Sequence, residues 1–381
     1  MINSRTKDLK RRYFIGLMSG TSADSIDAAL FTFDNDSNKT ELVEHLSYPL
    51  EETIRKEIFD LFQPSNNEIQ RLGSLDVALA KEFAKAVKQL CTNCNIQPRN
   101  IEAIGSHGQT IRHSPRKTDN KEIFTLQIGD ANTLTYETNI PVVADFRRKD
   151  MACNGQGAPL VPAFHNAVFR STHENRCIIN VGGISNVSIL PISGEVTGYD
   201  TGPGNALMDS WISLHKNQPY DNFGEWAASG NIHNELLTKL MSHSHFHRTA
   251  PKSTGREEFH LAWVDEILAT LPPITPVDVQ TTLAELTAIS IANEIPKSGL
   301  DDLGVYLCGG GAHNTHLIIR LRQLQPLLKI QTTEVLGIHP DWVEAGAFAW
   351  LAMQRIDGLP GNLPSVTGAK KEAVLGGLYI P

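Results

Sequence analysis

Apolar residues arrive in short blocks that end on glycine, serine or threonine. Residues 13–18 (YFIGLM) form one block and stop at Ser19-Gly20-Thr21-Ser22, and residues 26–31 (IDAALF) form the next. Two apolar runs around such a turn predict a β-hairpin. Residues 75–94 set Ala and Leu at helical spacing and predict an amphipathic helix. Residues 101–105 (IEAIG) predict a strand running into Ser106-His107-Gly108-Gln109-Thr110. Residues 141–144 (PVVA) predict another, with a polar end at Asp145, Arg147, Arg148 and Asp150.

The opening pattern then returns. Residues 177–181 (CIINV) predict a strand, Gly182-Gly183-Ile184-Ser185 a turn, and residues 186–190 (NVSIL) a second strand. The chain reads as an internal duplication of a unit that begins with a hairpin. Residues 281–295 put Ala284, Ala288, Ile291 and Ile295 on one helical face, with Leu283, Leu286 and Ile289 nearby. A helix apolar on most sides belongs in a core. Residues 305–308 predict a strand ending in Gly309-Gly310-Gly311, and residues 343–353 a closing helix. This alternation of strands and helices implies an α/β protein.

Length and charge narrow the function. A chain of 381 residues is too long for one ordinary core and suits two domains. Hydrophobic residues at 41% and charged residues at 20% argue against disorder. The net charge is -8 and no basic face stands out, which argues against a nucleic-acid partner. It does not exclude a phosphate ligand, which backbone N–H groups and one metal ion can hold. No apolar run is long enough to span a bilayer, so no membrane partner is expected. The basic start, MINSRTKDLKRR, meets only a short apolar stretch and no signal-peptide cleavage site, so a cytoplasmic location is expected. Five cysteines fit reduced thiols, and Cys91 and Cys94 form a lone C-x-x-C without a second pair. His243, His245 and His247 alternate, with His233 upstream, but no nearby Cys or acid completes a metal site; the stretch reads as a polar helix end or loop.

Three glycine-rich turns follow predicted strands: Gly16 to Asp24 (GLMSGTSAD), Asp200 to Asn205 (DTGPGN) and Leu307 to Asn314 (LCGGGAHN). Glycine lets backbone N–H groups converge on a phosphate. None is a Walker A loop or a dinucleotide G-x-G-x-x-G. Any one alone is an ordinary turn; three at strand ends, two of them carrying an Asp, point to a nucleotide.

That pattern resembles the actin/hexokinase-like ATPases. Within them the chain resembles the anhydro-N-acetylmuramic acid kinase family through GLMSGTSADSID, GSHGQTIRH, VADFRRKD, GQGAPLVPAFH, NVGGISNVSIL, YDTGPGNALMDSW, PKSTGREEF, CGGGAHN and HPDWVEAGAFAWLA, in order along nearly the whole chain. The resemblance implies a two-lobed α/β fold of the ribonuclease H-like type, with duplicated mixed sheets flanked by helices and ATP in the cleft between lobes. The expected first lobe is residues 1–140 plus about 355–381, and the second 141–354. It implies ATP with Mg²⁺, an anhydro amino sugar as the other ligand, and is compatible with a homodimer.

The reaction implied is attack of water on the anomeric carbon of a 1,6-anhydro sugar while O6 leaves and takes the γ-phosphoryl group. By resemblance the base is Asp200; read alone, it is an acid beside a glycine turn, where turn capping is the ordinary role. The nucleotide set is Gly20, Thr21, Ser22, Ala23, Asp24, Ser25, Ile26, Asp27, Gly183, Gly202, Gly204, Asn205, Gly309, Gly310 and Gly311. Asp24 is the candidate for Mg²⁺ through water, and Asp27 otherwise reads as a surface position on its strand. The sugar set is His107, Gln109, Arg147, Arg148 and Glu344. Glu344 otherwise reads as a favourable charge at a helix N-terminus. Arg147, Arg148 or Lys149 would meet the lactyl carboxylate. Relatives usually carry Gly where this chain has Ser25, and small residues where it has Cys153 and Asn154; a positive φ at Ser25 would strain the first turn. Other readings are a different sugar kinase or ATP-dependent hydrolase of this fold, and a non-catalytic nucleotide-binding protein. Asp200 beside DFRR and GSHGQT favours the catalytic ones.

Overall fold

The structure is a computed structural model describing residues 11–20, 23–34, 40–115, 122–255, 258–296, 300 and 302–381. Thr21 and Ser22 of the first expected turn lie outside the described residues. The strands are β1 (Arg12–Ser19), β2 (Ser25–Phe33), β3 (Thr40–Pro49), β4 (Ile101–Ser106), β5 (Gln109–Ser114), β6 (Phe124–Ile128), β7 (Val142–Ala144), β8 (Asn175–Val181), β9 (Ile184–Leu190), β10 (Thr197–Pro203), β11 (Leu303–Cys308), β12 (Lys329–Thr332) and β13 (Gly377–Tyr379).

One sheet has the order β13-β7-β4-β1-β2-β3 and another β10-β9-β8-β11-β12. In the first, β1–β2 and β2–β3 are antiparallel, while β1–β4 and β4–β7 are parallel. In the second, β8–β9 and β9–β10 are antiparallel, while β8–β11 and β11–β12 are parallel. The duplication read from the two hairpins therefore extends to five strands in each half, with β13 added to the first. Residues 142–144, just past the expected lobe boundary at 140, pair within the first sheet.

The central strands are apolar on both faces because helices cover both; all of β11 is buried. Edge strand β3 instead alternates partly buried and exposed positions. The helix Val343–Asp357 packs on β1, β2 and β4. Its approach depends on Gly16 and Gly105, which are paired in register. A methyl on either would collide with the carbonyl oxygen of Ala345 or Phe348. The same helix shares a core with Phe31 of the first sheet and with Ile178 and Cys308 of the second. It thus sits between the sheets and carries its first turn to their junction.

Helix starts are earlier than expected. The core helix is Pro276–Glu294, begun by the Thr275 side chain accepting from Asp278 N, with Pro276 in the first turn. The helix expected at 75–94 is Glu68–Asn93, with Cys94 as its cap. All five cysteines are free. Burial pushes the Cys91 thiol up to about 11, which leaves it unreactive.

Candidate functional site

Strands β1 and β4, and likewise β8 and β11, run parallel, so their carboxyl ends open on one side of each sheet. Those ends deliver Gly20, His107, Gly182 and Gly309. Open α/β sheets bind ligands at such ends.

The second and third glycine segments form one construction. Gly204 N and Ala206 N donate to Gly183 O at 2.9 and 3.1 Å, and Asn205 N donates to Gly182 O at 2.8 Å. The Asn205 amide donates to Val181 O at 3.1 Å. The start of the helix Ala206–Lys216 is thereby fastened to the β8–β9 turn. A methyl at Gly204 would collide with the Gly182 carbonyl, and one at Gly311 with Val181. Gly309 has φ 77 and rests against Asn180. Gly310 differs: the nearest atom to an added methyl is Asn205 Nδ2 at 3.8 Å, so this residue borders open space. Gly202, expected in a turn, lies in β10 with Asp200.

In the first turn Ala23 N donates to Gly20 O at 3.2 Å. The strained backbone expected at Ser25 falls on Ala23 instead, with φ 47. Ser25 opens β2 in ordinary register with Pro49, so its side chain costs the turn nothing. Ile26 is buried. Asp24 is exposed and its carboxylate accepts from Ser25 N at 3.1 Å. Asp27 is not a surface position: it is half-buried and accepts from Ser47 Oγ at 2.9 Å. Burial, then the charges of Asp24 and Asp341, push its carboxyl up to about 6.

Arg147 stands between several acids. It occupies the helix Phe146–Ala152, donates to Gly157 O at 2.8 Å, and lies 2.9 Å from His107 Nε2 through Nη2. Burial lowers its pKa, while Glu344, Asp200 and Asp150 raise it, in that order of strength. Glu344, in the first turn of Val343–Asp357, is half-buried beside the Asn180 side chain. Burial and then Asp27 raise its carboxyl above the usual range, and Arg147 opposes them. Arg147, Glu344, Asp27, His107 and Asp200 thus belong to one electrostatic site.

Two sugar-site candidates have other partners. Arg148 is exposed on the other side of its helix, 3.6 Å from Asp145, beside a surface pocket of about 410 Å³ lined by Phe124, Thr125 and Met151. Residues three apart share a helix face, but consecutive ones do not. Gln109 is 1% exposed and accepts from Ser19 Oγ at 2.7 Å, tying the end of β1 to β5.

Asp200 is 6% exposed. Its Oδ2 accepts from Thr254 N at 2.9 Å, and its own N–H donates to Lys252 O at 3.1 Å. The histidine run proves to be part of this support. His245, in the short turn Ser244–His247, is fully buried, and its Nε2 lies 3.0 Å from Asp200 O. Burial lowers this imidazole to about 4, so the neutral ring donates to the carbonyl.

Sequence reasoning also missed Asn180 and Asn186. They pair across β8 and β9, and Asn186 pairs with Asp200 across β10, a polar row over three strands. Asn186 Oδ1 is buried with no hydrogen-bond partner among the described residues. The signal was available: these are the only amides inside otherwise apolar strand pattern at 177–190.

Among the described residues no helix is long and apolar enough to cross a membrane, and no group of three or more His, Cys, Asp or Glu side chains is arranged to hold a metal.

The sequence relationships agree with this geometry. The family described as Anhydro-N-acetylmuramic acid kinase matches residues 12–381. A protein named anhydro-N-acetylmuramic acid kinase from Saccharophagus degradans is 50% identical over 374 residues, covering 98% of this chain and 100% of that one. The protein of the same name from Shewanella pealeana is 51% identical over 374 residues, covering 97% and 99%. That from Coxiella burnetii is 48% identical over 372 residues, covering 97% and 98%. The chain belongs to the anhydro-N-acetylmuramic acid kinase family.

Proposed function

We propose that this protein uses ATP to phosphorylate 1,6-anhydro-N-acetylmuramic acid while water opens the anhydro bridge, yielding N-acetylmuramic acid 6-phosphate for cell-wall recycling. The observation that carries the reading is a buried, backbone-held Asp200 whose charge, with that of Glu344, acts on the Arg147 guanidinium. A cytoplasmic location goes with it. So does a division into lobes at about 140 and 354, with residues 142–144 on the first sheet's side.

Asp200 is the base. Thr254 N–H orients the carboxylate through Oδ2, and the carboxylate takes the proton from water. The water oxygen bonds to the anomeric carbon, the bond from that carbon to O6 breaks, and O6 takes the γ-phosphoryl group as ADP leaves. Arg147 is the partner for the lactyl carboxylate, since its guanidinium faces the site while that of Arg148 does not. His107, neutral and accepting at Nε2, holds the guanidinium in place. Glu344 lines the sugar end. Gly20–Asp27, Gly183, Gly202–Asn205 and Gly309–Gly311 supply backbone contacts for the nucleotide.

Asp24 and Asp27 suit Mg²⁺. They are hard oxygen donors, and burial with the charges of Asp24 and Asp341 holds Asp27 up to about 6, a situation a divalent cation reverses. When bound, Mg²⁺ would neutralise charge developing on the phosphates.

The test is ADP release with each sugar in ¹⁸O-labelled water. Release driven by the anhydro-muramic sugar and not by glucose, with label on the anomeric carbon and none in the phosphate, is expected. Release driven by glucose, or label in the phosphate, would overturn the reading.

A further inference from the structure

Residues 156 and 157 hold two parts of the site at once. Gly157 O accepts from Arg147 Nη1 at 2.8 Å, and Gly157 N donates to Asp150 Oδ2 at 2.8 Å. Asp150 is fully buried, and its other oxygen accepts from Asn362 Nδ2 at 2.6 Å and Thr367 Oγ1 at 2.7 Å. Gln156 N donates to Thr367 O at 2.8 Å. The peptide that braces Arg147 is therefore rigidly mounted on the C-terminal segment.

The Gln156 side chain faces a different loop. Its Nε2 donates to Pro251 O at 3.2 Å, and its Oε1 accepts from Ser253 Oγ at 2.6 Å. Both ends of the amide are used on residues 250–254. That loop supports Asp200: Lys252 O accepts from Asp200 N, and Thr254 N donates to Asp200 Oδ2. It has its own anchor, an ion pair from the buried Lys252 Nζ to the half-buried Glu294 Oε1 at 2.7 Å. Neighbouring residues thus grip the mount of the base and the mount of the guanidinium.

We propose that Gln156 is a positioning residue that fixes the spacing of Asp200 and Arg147, so that a sugar anchored through its lactyl carboxylate presents its anomeric carbon to the base. This rests on the roles given above to those two residues. A carboxamide suits the task because it donates to a carbonyl and accepts from a hydroxyl in one plane. An apolar side chain of the same length would fill the space and leave the two loops uncoupled.

The experiment compares Gln156→Met with wild type on two substrates: the anhydro-muramic sugar and the same anhydro sugar lacking its lactyl group. Small misplacements of reacting groups cost roughly 10²-fold. The variant should lose about 10–100-fold in kcat/KM on the lactyl-bearing sugar. It should lose much less on the truncated one, so the preference between them narrows. The Kd for ATP and the melting temperature should stay close to wild type. Ser253→Ala should narrow the preference in the same direction, and it provides the reading if Gln156→Met does not fold. Equal losses on both sugars, or an unchanged preference in a folded variant, would overturn the proposal while leaving the proposed function intact. Turnover of neither sugar by wild type would instead defeat the proposed function, and this inference with it.

Discussion

Arg147 and His107 form a directed pair: Nη2 of the guanidinium lies 2.9 Å from Nε2 of the imidazole, whose Nδ1 lies 2.8 Å from the carbonyl of Gly108. Nδ1 therefore carries the ring proton and Nε2 accepts. Burial, followed by the arginine charge, holds the imidazole pKa well below 6.5, which keeps it an acceptor at neutral pH. Arg147→Ala should raise KM for the anhydro-muramic sugar more than it lowers kcat, with a loss of about 2–5 kcal/mol in binding. Arg148→Ala should change either constant by no more than about 0.5 kcal/mol, as for an ordinary surface site. Steady-state kinetics on both variants distinguish the two arginines. A larger effect at Arg148 would contradict the site as built.

Acid should weaken the fold. Burial pushes His113 and His165 down to about 3 and His245 to about 4. The same side chains titrate near 6.5 when unfolded. Between those values the unfolded chain holds protons that the folded one does not, so stability falls as pH drops from about 6.5 toward 4. Asp27, raised to about 6, acts in the opposite sense: its contribution is present below about 3.8 and is lost as pH rises through 6. Glu344, Asp76 and Asp145 are raised in the same sense as Asp27, but His107, lowered well below 6.5, joins the other three histidines, and the four buried rings dominate. The melting temperature should fall steadily from pH 7 to pH 4, and less steeply in His165→Gln. A flat profile would contradict the buried neutral rings.

The glycines of the nucleotide segments should separate into two kinds. Gly204→Ala forces a methyl onto the Gly182 carbonyl and should destabilise the protein as well as abolish nucleotide binding. Gly310→Ala meets nothing closer than 3.8 Å and should leave the melting temperature unchanged. If a nucleotide fills the space beside Gly310, that variant should still bind ATP several-fold more weakly. Calorimetric titration with ATP and a thermal melt on each variant give the answer. Unchanged ATP affinity in Gly310→Ala would place the nucleotide elsewhere.

Much of the architecture was legible because local pattern and fold agree. Apolar runs around 20–25 and 182–183 made hairpins, and glycines at strand ends marked the rim. Helix starts such as Thr275-Pro276 were missed because the expectation followed apolar spacing and overlooked the cap. What joined the site was not local. Asn180 meets Cys308 only through parallel pairing of β8 and β11, and Gln156 meets Ser253 across 97 positions of sequence. Neither spacing nor composition encodes such contacts. Arg147 and Arg148 looked equivalent in DFRRKD, and the helix Phe146–Ala152 turned one in and the other out. The alternating histidines looked like a stray metal pattern, whereas His245 is spent on the backbone of Asp200.

The central claim is that Asp200 takes the proton from the attacking water. The direct measurement is kcat for the anhydro-muramic sugar in Asp200→Asn, taken with the ATP Kd of the same protein. Asparagine keeps the size of the side chain and an acceptor for Thr254 N–H, so the loop and the nucleotide segments should stand. It lacks the basicity that removes a proton, which is worth about 10²–10⁴-fold. The account predicts a loss of at least that range in kcat with ATP affinity nearly unchanged. Near-normal turnover by Asp200→Asn would contradict it.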